Sequence, residues 1–222
     1  MIAKDTYINI FLLTLLVYIV PLCSFAYVPE LVEPTSVSDV YLVESPEQEK
    51  MFFGDMASFP HTYEINSIKP FNLYVEIRMP DIESSENNMA GIIIRQKGRG
   101  GVDEVVRMNP NDAEWSVVRE SFENEEYRVG PIFDSELDGG IYRVEVSTPD
   151  NVEKYVLIMG KEDSNSDIDY FGKVSAIADV KEFFDKSKLT ALWTRTVLVP
   201  GLLLVGFFGL LLYLYKKRRK SL

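Results

Sequence analysis

Oxygen-bearing side chains alternate along one short polar segment, at Asp163, Asn165, Asp167 and Asp169. Carboxylate and amide oxygens at every second residue are the ligand pattern of acidic calcium loops. Such a loop also has a glycine at its sharp turn and a bidentate glutamate at its twelfth position. This segment has no such glycine, and Val174 occupies the twelfth position. A disordered linker is therefore the preferred interpretation, and calcium binding is the alternative.

Groups suited to acyl transfer or thiol chemistry are scarce. His61 is the single histidine and Cys23 the single cysteine. Because His61 has no second nitrogen or sulfur ligand beside it, we predict a structural or surface residue. No serine has the sequence context of a nucleophile elbow. We predict no catalytic residue and no cofactor.

Two groups of carboxylates could house a glycosidase pair: Asp81 with Glu83 and Glu86, and Glu123 with Glu125 and Glu126. Hydrolysis would need two of them in one cleft, with the pKa of one raised. The sequence favours a solvated acidic face for both groups, with a surface hydrolase as the alternative.

Residues 98–101 read Gly-Arg-Gly-Gly. A phosphate-binding loop would continue with Gly-Lys-Ser/Thr and a helix, and neither follows here. We predict a hairpin loop.

Short stretches with alternating apolar residues recur through the middle of the chain. The clearest is 71–79, and the others are 41–43, 61–65, 90–95, 102–108, 115–119, 127–129, 141–148 and 155–159. Turn residues separate them, and no helical period competes. The fold class predicted is mainly β: an antiparallel β-sandwich, jelly-roll-like, over 40–160.

The segments on either side of the sandwich differ in composition. Residues 27–39 contain Pro29 and Pro34 and are predicted to be an extended leader. Residues 161–192 combine a polar linker with a short amphipathic neck helix, in which an apolar line is formed by Val174, Ile177, Val180 and Phe184. The neck could lie on a membrane, pack under the sandwich or pair with a second copy.

The N-terminal segment has the features of a signal peptide. An apolar stretch over 8–20 precedes Ser24-Phe25-Ala26, which predicts cleavage after Ala26. An uncleaved anchor is the alternative. Cleavage over 1–26 would remove Cys23, so the mature chain would have no disulfide.

A second apolar run, 197–215, is long enough as a helix to cross a bilayer. We predict a transmembrane helix over 193–215, with aromatic and basic residues at its ends and a basic cytoplasmic tail over 216–222. The predicted anchor residues are Trp193, Arg195, Tyr213, Tyr215, Lys216, Lys217, Arg218, Arg219 and Lys220.

The part between the two apolar segments is strongly acidic. Of the 34 acidic residues in the chain, all except Asp5 lie between residues 27 and 193. Such a surface repels phosphate backbones, so nucleic acid is not a predicted partner.

Residues 139–160 contain Gly-Gly-Ile-Tyr-Arg-Val-Glu-Val-Ser-Thr-Pro-Asp and end in Tyr-Val-Leu-Ile-Met-Gly. This stretch resembles the last two strands of bacterial pre-peptidase C-terminal domains. The resemblance implies a jelly-roll sandwich that is accessory to an activity carried elsewhere. It transfers no functional residues.

The order of signal, sandwich, helical neck, span and basic tail is also similar to the p24 cargo-receptor family. The paired cysteines of that sandwich are missing here, and Arg219-Lys220 stands where paired lysines are expected.

These features predict a single-pass membrane protein with an extracytoplasmic sandwich that acts as a non-enzymatic binding, adhesion or accessory module. Membrane lipid is the predicted partner, with a membrane or surface protein as a further one. A surface hydrolase and a p24-like trafficking adaptor are the alternatives.

Overall fold

The computed structural model describes residues 29–83, 85–162 and 169–219. The predicted signal peptide (1–26) and Lys220 lie outside this part of the chain. Within it, the strands are β1 Pro29–Val32, β2 Val40–Val43, β3 Lys50–Asp55, β4 His61–Ser67, β5 Phe71–Pro80, β6 Ala90–Gln96, β7 Val102–Met108, β8 Ser116–Glu120, β9 Glu125–Leu137, β10 Gly140–Ser147 and β11 Lys154–Met159. They are followed by helix α1 Tyr170–Phe183, a 3-10 turn Lys188–Trp193 and helix α2 Arg195–Arg219.

The strands form two sheets of a sandwich. Sheet A has the order β1-β3-β11-β5-β9-β8, and sheet B has the order β2-β4-β10-β6-β7. β1 runs parallel to β3, and β2 runs parallel to β4. The prediction of purely antiparallel sheets is therefore wrong at these two edges. Residue alternation identifies a strand but does not encode the direction of its neighbour, so the sequence pattern could not show this.

The leader predicted over 27–39 contributes a strand to the fold. Pro29 begins β1 at the edge of sheet A, a position where its missing N–H is tolerated. Val32 at the end of β1 is buried in the core. This part of the predicted leader thus belongs to the sandwich.

The core lies between the sheets. Alternate residues of both sheets point into it, as the two-residue period of a strand requires. It includes Phe52, Leu73, Ile77 and Leu157 from sheet A, with Ile65, Ile93 and Val144 from sheet B.

Helix α1 covers the outer face of sheet A. Val180, Phe183 and Phe184 at its C-terminal end are buried against Phe53 and Tyr127 of the sheet. Full burial of one such aromatic side chain stabilises a fold by about 1.5–3 kcal/mol. The sequence analysis left three placements open for the neck helix: on a membrane, under the sandwich or against a second copy. The structure packs it on the sandwich.

Helix α2 follows the 3-10 turn and contains Pro200 in its first part. Among the residues that the structure describes, no helix is both long enough and apolar enough to qualify as a membrane span. The transmembrane helix over 193–215 therefore stays a prediction.

Candidate functional site at the base of the sandwich

The start of α2 is fixed to the sandwich by a small apolar cluster. Phe122, Ile177, Ala191 and Val197 are buried against one another. They come from the β8–β9 turn, α1, the 3-10 turn and α2 respectively. Four segments of the chain therefore meet at one point, which we call the joint.

Two hydrogen bonds reinforce the joint. The Thr196 hydroxyl donates to the carbonyl of Phe122 over 2.9 Å. The Tyr170 hydroxyl donates to the carbonyl of Val197 over 3.0 Å. Both bonds join α2 to another segment within one turn of Pro200, which has no N–H of its own to donate in the helix. The first turn of α2 is thus held from outside the helix.

A buried charge cluster attaches α1 to the same region of sheet A. Glu125 is 3% exposed and Lys181 is 4% exposed. The Lys181 Nζ lies 2.5 Å from one Glu125 oxygen, and the Lys186 Nζ lies 2.6 Å from the other. Because a buried carboxylate is costly without partners, these two cations hold α1 and its C-terminal end over β9.

Apolar side chains project outward beside the joint. Phe171 at the start of α1 is 78% exposed, and Trp193 at the end of the 3-10 turn is 77% exposed. Leu189 and Leu192 of the same turn are also exposed. We call Phe171, Leu189, Leu192 and Trp193 the collar, because they lie on α1 and the 3-10 turn, the two segments that meet α2 at the joint.

The predicted anchor residues lie at both ends of α2. Trp193 and Arg195 are exposed at its N-terminal end, and Tyr213 and Lys216 are exposed towards its C-terminal end. The side chains of Tyr215, Lys217, Arg218 and Arg219 lie outside the described set. Their role as membrane anchors stays a prediction.

Between these ends, α2 exposes large apolar side chains over much of its surface. They are Leu202, Leu204, Val205, Phe207, Phe208 and Leu212. A helix that is apolar on most sides is normally covered by protein or by lipid.

His61 belongs to a polar network inside the core. Its Nδ1 lies 2.8 Å from the Tyr155 hydroxyl, and that hydroxyl lies 2.7 Å from the Tyr63 hydroxyl. Burial lowers the pKa of His61, and the negative charge of Asp55 partly opposes this shift. Burial likewise raises the pKa of Tyr63 and of Tyr155. With His61 only 1% exposed, the network can hold the sheets together but cannot meet a substrate from solvent.

In the two predicted acidic faces, Glu83 and Glu86 are exposed, whereas the other members contact basic or hydroxyl groups. Asp81 binds Arg128 at 2.6 Å, and Glu126 binds Arg119 at 2.6 Å. Glu123 is fully buried and accepts a hydrogen bond from Tyr127. The prediction of a solvated acidic face is therefore wrong for Glu123 and Glu125, because neighbouring basic or hydroxyl groups allow both to be buried.

The candidate calcium ligands are placed only in part. Asp163, Asn165 and Asp167 lie outside the described residues. Asp169 caps α1 by accepting a hydrogen bond from the backbone N–H of Gly172 over 2.8 Å. In the part of the chain that the structure describes, no three His, Cys, Asp or Glu residues are grouped as a metal site would require.

The glycine-rich loop connects two paired strands. Gly98–Gly100 form a 3-10 turn between β6 and β7, which are antiparallel neighbours. The prediction of a hairpin loop is confirmed.

One side of the sandwich is open between β7 and the second half of β9. β8 pairs with β9 only from Glu125 to Val129. Beyond Val129, β9 is paired on one side only, with β5. Cavities of about 590 Å³ and 380 Å³ lie along this side, each lined by residues of β7 and β9. Ile132 lines the second cavity and is exposed.

Sequence reasoning missed most of the joint and the collar. Phe171, Leu189 and Leu192 are not on the apolar line of the predicted neck, and no period marks a 3-10 turn. Four apolar residues within the six residues of Lys188–Trp193, next to an apolar run, were the available signal.

No family model and no curated protein matches the chain. Among solved structures, the pre-peptidase C-terminal domain of a collagenase from Bacillus anthracis matches 56% of this chain and 97% of its own length, at 8% identity and a TM-score of 0.34. A mitogen derived from Yersinia pseudotuberculosis matches 55% of this chain and 93% of its own length, at 13% identity and a TM-score of 0.36.

A β-glucosidase from Paenibacillus barengoltzii matches 59% of this chain with 13% of its own length, at 11% identity and a TM-score of 0.24. None of these similarities is strong enough to carry an argument about function.

Proposed function

We propose that this chain is a single-pass membrane protein, and that α2 holds the β-sandwich at the outer membrane surface as a non-enzymatic binding or accessory module. The supporting observation is the exposed apolar surface of α2. Leu202, Val205, Phe208 and Leu212 are each at least 60% exposed. Each such side chain gains about 1.5–3 kcal/mol when it is transferred from water to an apolar environment. The charge-free run 197–215 supports lipid as that environment.

The proposed orientation rests on charge. Five successive cations, Lys216 to Lys220, follow the apolar run and favour retention on the cytoplasmic side. The acidic residues are concentrated in the sandwich and its flanking segments, which would then face outward.

We further infer that the sandwich is of the jelly-roll type. If β1, β2 and β8 are set aside, sheet A reads β3-β11-β5-β9 and sheet B reads β4-β10-β6-β7. Counted as eight strands, these orders are 1-8-3-6 and 2-7-4-5, the two interleaved four-stranded sheets of a jelly roll.

The non-enzymatic character is supported by the state of the acidic groups. Catalysis by two carboxylates needs a pair in a cleft, free to exchange protons. Asp81, Glu125 and Glu126 are instead bound by basic side chains. Glu76 and Glu120 approach each other through Arg78, which binds both. These described carboxylates therefore give the hydrolase alternative no support.

Membrane integration can be tested with the full chain expressed in membranes. The double variant Val205→Arg/Phe208→Arg places two charges in the middle of α2, each costing about 2.5–3.5 kcal/mol at the centre of a span. We expect wild type to resist alkaline carbonate extraction and the double variant to be extracted. Leu42→Arg is the matched control, because Leu42 is 73% exposed on β2 and its variant should remain in the membrane.

One result of the extraction experiment would contradict membrane integration. If wild type is extracted as readily as the double variant, α2 does not integrate and the proposal is wrong.

The orientation is tested by adding protease to sealed vesicles. Digestion of the basic tail with protection of the sandwich would reverse the proposed topology.

The binding role can be tested by cross-linking in the same membranes. A photoreactive residue at Ile132 samples the open side of the sandwich, where the two cavities lie. The same residue at Leu42 samples the opposite edge of sheet B. We expect a defined adduct from Ile132 and none from Leu42. Equal, diffuse labelling at both positions would contradict a specific contact on the open side.

A further inference from the structure

The collar is exposed although the backbone that carries it is firmly held. Ala191 and Thr194, which flank Leu192 and Trp193, are each 1% exposed. The Thr194 hydroxyl donates to the carbonyl of Ala191 over 2.7 Å. The Leu192 and Trp193 side chains are therefore directed outward by a fixed turn.

The same turn is also fixed to α1. The Lys188 Nζ lies 3.0 Å from Asp179 and 2.9 Å from Glu182, both on α1. The Ser187 side chain accepts a hydrogen bond from the N–H of Leu189 at the start of the turn. The chain thus presents Leu189 and Leu192 in a defined place instead of folding them into the joint beside them.

The collar residues belong to the two segments that contact the start of α2. Trp193 precedes the first residue of α2 by two positions. Phe171 follows Tyr170, whose hydroxyl is bonded to the carbonyl of Val197. α1 and the 3-10 turn, which carry the collar, are therefore both connected to the first turn of α2.

Lipid headgroups are the occupant that fits this position. A collar around the start of a membrane span lies in the interfacial layer, and a protein partner would have to displace lipid from beneath the sandwich to reach it. Aromatic side chains such as Trp193 favour that layer. Arg195 is exposed beside the collar and can reach lipid phosphates.

We propose that the collar inserts into the headgroup region of the outer leaflet, so that the sandwich is seated directly on the bilayer and not held away from it on a flexible stalk. This inference rests on the membrane-spanning role proposed for α2. It adds a second membrane contact and fixes which end of the sandwich faces the lipid.

Fluorescence quenching by brominated phosphatidylcholine tests the depth of the collar. The chain has two tryptophans, Trp115 and Trp193. The full chain would be placed in lipid nanodiscs with bromine either near the headgroup end or near the middle of the acyl chains. In the Trp115→Phe variant, we expect Trp193 to be quenched more by the shallow bromine than by the deep one. In the Trp193→Phe variant, Trp115 on the sandwich should not be quenched.

A second probe separates this inference from the proposed function. In a Trp115→Phe/Trp193→Phe background, Phe208→Trp places a probe in the middle of α2. Quenching of the Phe208→Trp probe by deep bromine, without quenching of Trp193, would overturn the collar inference and leave the membrane span intact. Absence of quenching at both Trp193 and the Phe208→Trp probe would overturn both the collar inference and the proposed membrane span. Trp193 that is shielded from aqueous acrylamide but not quenched by bromine would indicate a protein partner, which also overturns the inference.

A label-based measurement covers the case in which Trp115→Phe fails to fold. Leu189→Cys and Leu42→Cys, each in a Cys23→Ser background with both tryptophans retained, can carry a nitroxide. We expect the label at Leu189 to be more accessible to oxygen than to a water-soluble nickel chelate, and the label at Leu42 to show the reverse. Equal nickel accessibility at the two positions would contradict seating on the bilayer.

Discussion

Tyr170 donates its hydroxyl hydrogen to the carbonyl oxygen of Val197, 3.0 Å away, and so connects the first turn of α1 to the first turn of α2. α1 is itself packed on sheet A through Val180 and Phe183. The hydrogen bond therefore fixes the start of α2 relative to the sandwich. Together with the Thr196–Phe122 hydrogen bond, it makes the joint a stiff connection.

Removal of these two hydrogen bonds should loosen α2 from the sandwich. Each bond contributes about 0.5–1.5 kcal/mol. In Tyr170→Phe/Thr196→Val, we expect a broader distribution of distances between spin labels at Val117 on β8 and Leu204 on α2, both exposed sites. Pulsed electron paramagnetic resonance measures this distribution.

The control for the joint is Tyr213→Phe, which removes an exposed hydroxyl at the far end of α2. That variant should give the wild-type distance distribution. An unchanged distribution in the double variant would show that apolar packing of the joint is sufficient by itself.

The buried cluster of Glu125, Lys181 and Lys186 should behave as a unit. Removing one partner of a buried ion pair typically costs about 3–5 kcal/mol, and we expect Lys181→Met to fall near the lower end because Lys186 still binds Glu125. Glu125→Gln leaves Lys181 buried without a carboxylate. The double variant should lose less stability than the sum of the two single variants, as chemical denaturation can measure.

A surface pair provides the comparison for this cycle. Arg107 and Glu104 lie 2.8 Å apart, with side chains that are 64% and 50% exposed. Arg107→Met should cost less than about 1 kcal/mol. Additive effects of Glu125→Gln and Lys181→Met would show that the cluster contributes no coupling.

Strands with one buried face could be read from the sequence. The predicted strand 71–79 is confirmed as β5, Phe71–Pro80, in which Leu73, Val75, Ile77 and Met79 are fully buried. β3 was missed because it is covered on both faces. Phe52 faces the core while Met51 and Phe53 face α1, so its consecutive apolar residues show no alternation.

The candidate site was less accessible to sequence reasoning. Trp193 could be predicted because it adjoins a long apolar run. Phe171 could not, since it joins the collar only when Tyr170 meets Val197 in the folded chain. The pairing of Glu125 with Lys181, 56 positions apart, likewise arises from tertiary packing that no local pattern records.

Gly54 should be intolerant of any side chain. A Cβ at this position would lie 2.3 Å from the ring of Tyr155, which is fully buried and hydrogen-bonded to His61. Gly54→Ala must displace that ring, and overpacking of this kind costs about 1–3 kcal/mol. We expect a lower melting temperature, measured by circular dichroism of the sandwich. Gly98→Ala is the matched control, because a Cβ there meets nothing within 4 Å. Equal melting temperatures for the two variants would contradict this packing.

His61 should make the stability of the sandwich depend on pH just below neutrality. Burial lowers the pKa of His61 below its ordinary value of 6.5, so the unfolded chain takes up a proton more readily than the folded one. The free energy of unfolding should therefore be constant above about pH 6.5 and fall as the pH is lowered from there. Protonation of carboxylates, whose ordinary pKa values are about 4, dominates the pH dependence of the free energy of unfolding only at lower pH.

The measurement that isolates His61 is urea denaturation at several pH values between 7 and 5, on wild type and on His61→Gln. The variant loses the contact with Tyr155 and should be less stable than wild type at pH 7. Its free energy of unfolding should nevertheless change less over this range, because it has no group there to protonate. Parallel curves for the two proteins would show that another group sets the pH dependence, and that the charge of Asp55 offsets the effect of burial on His61.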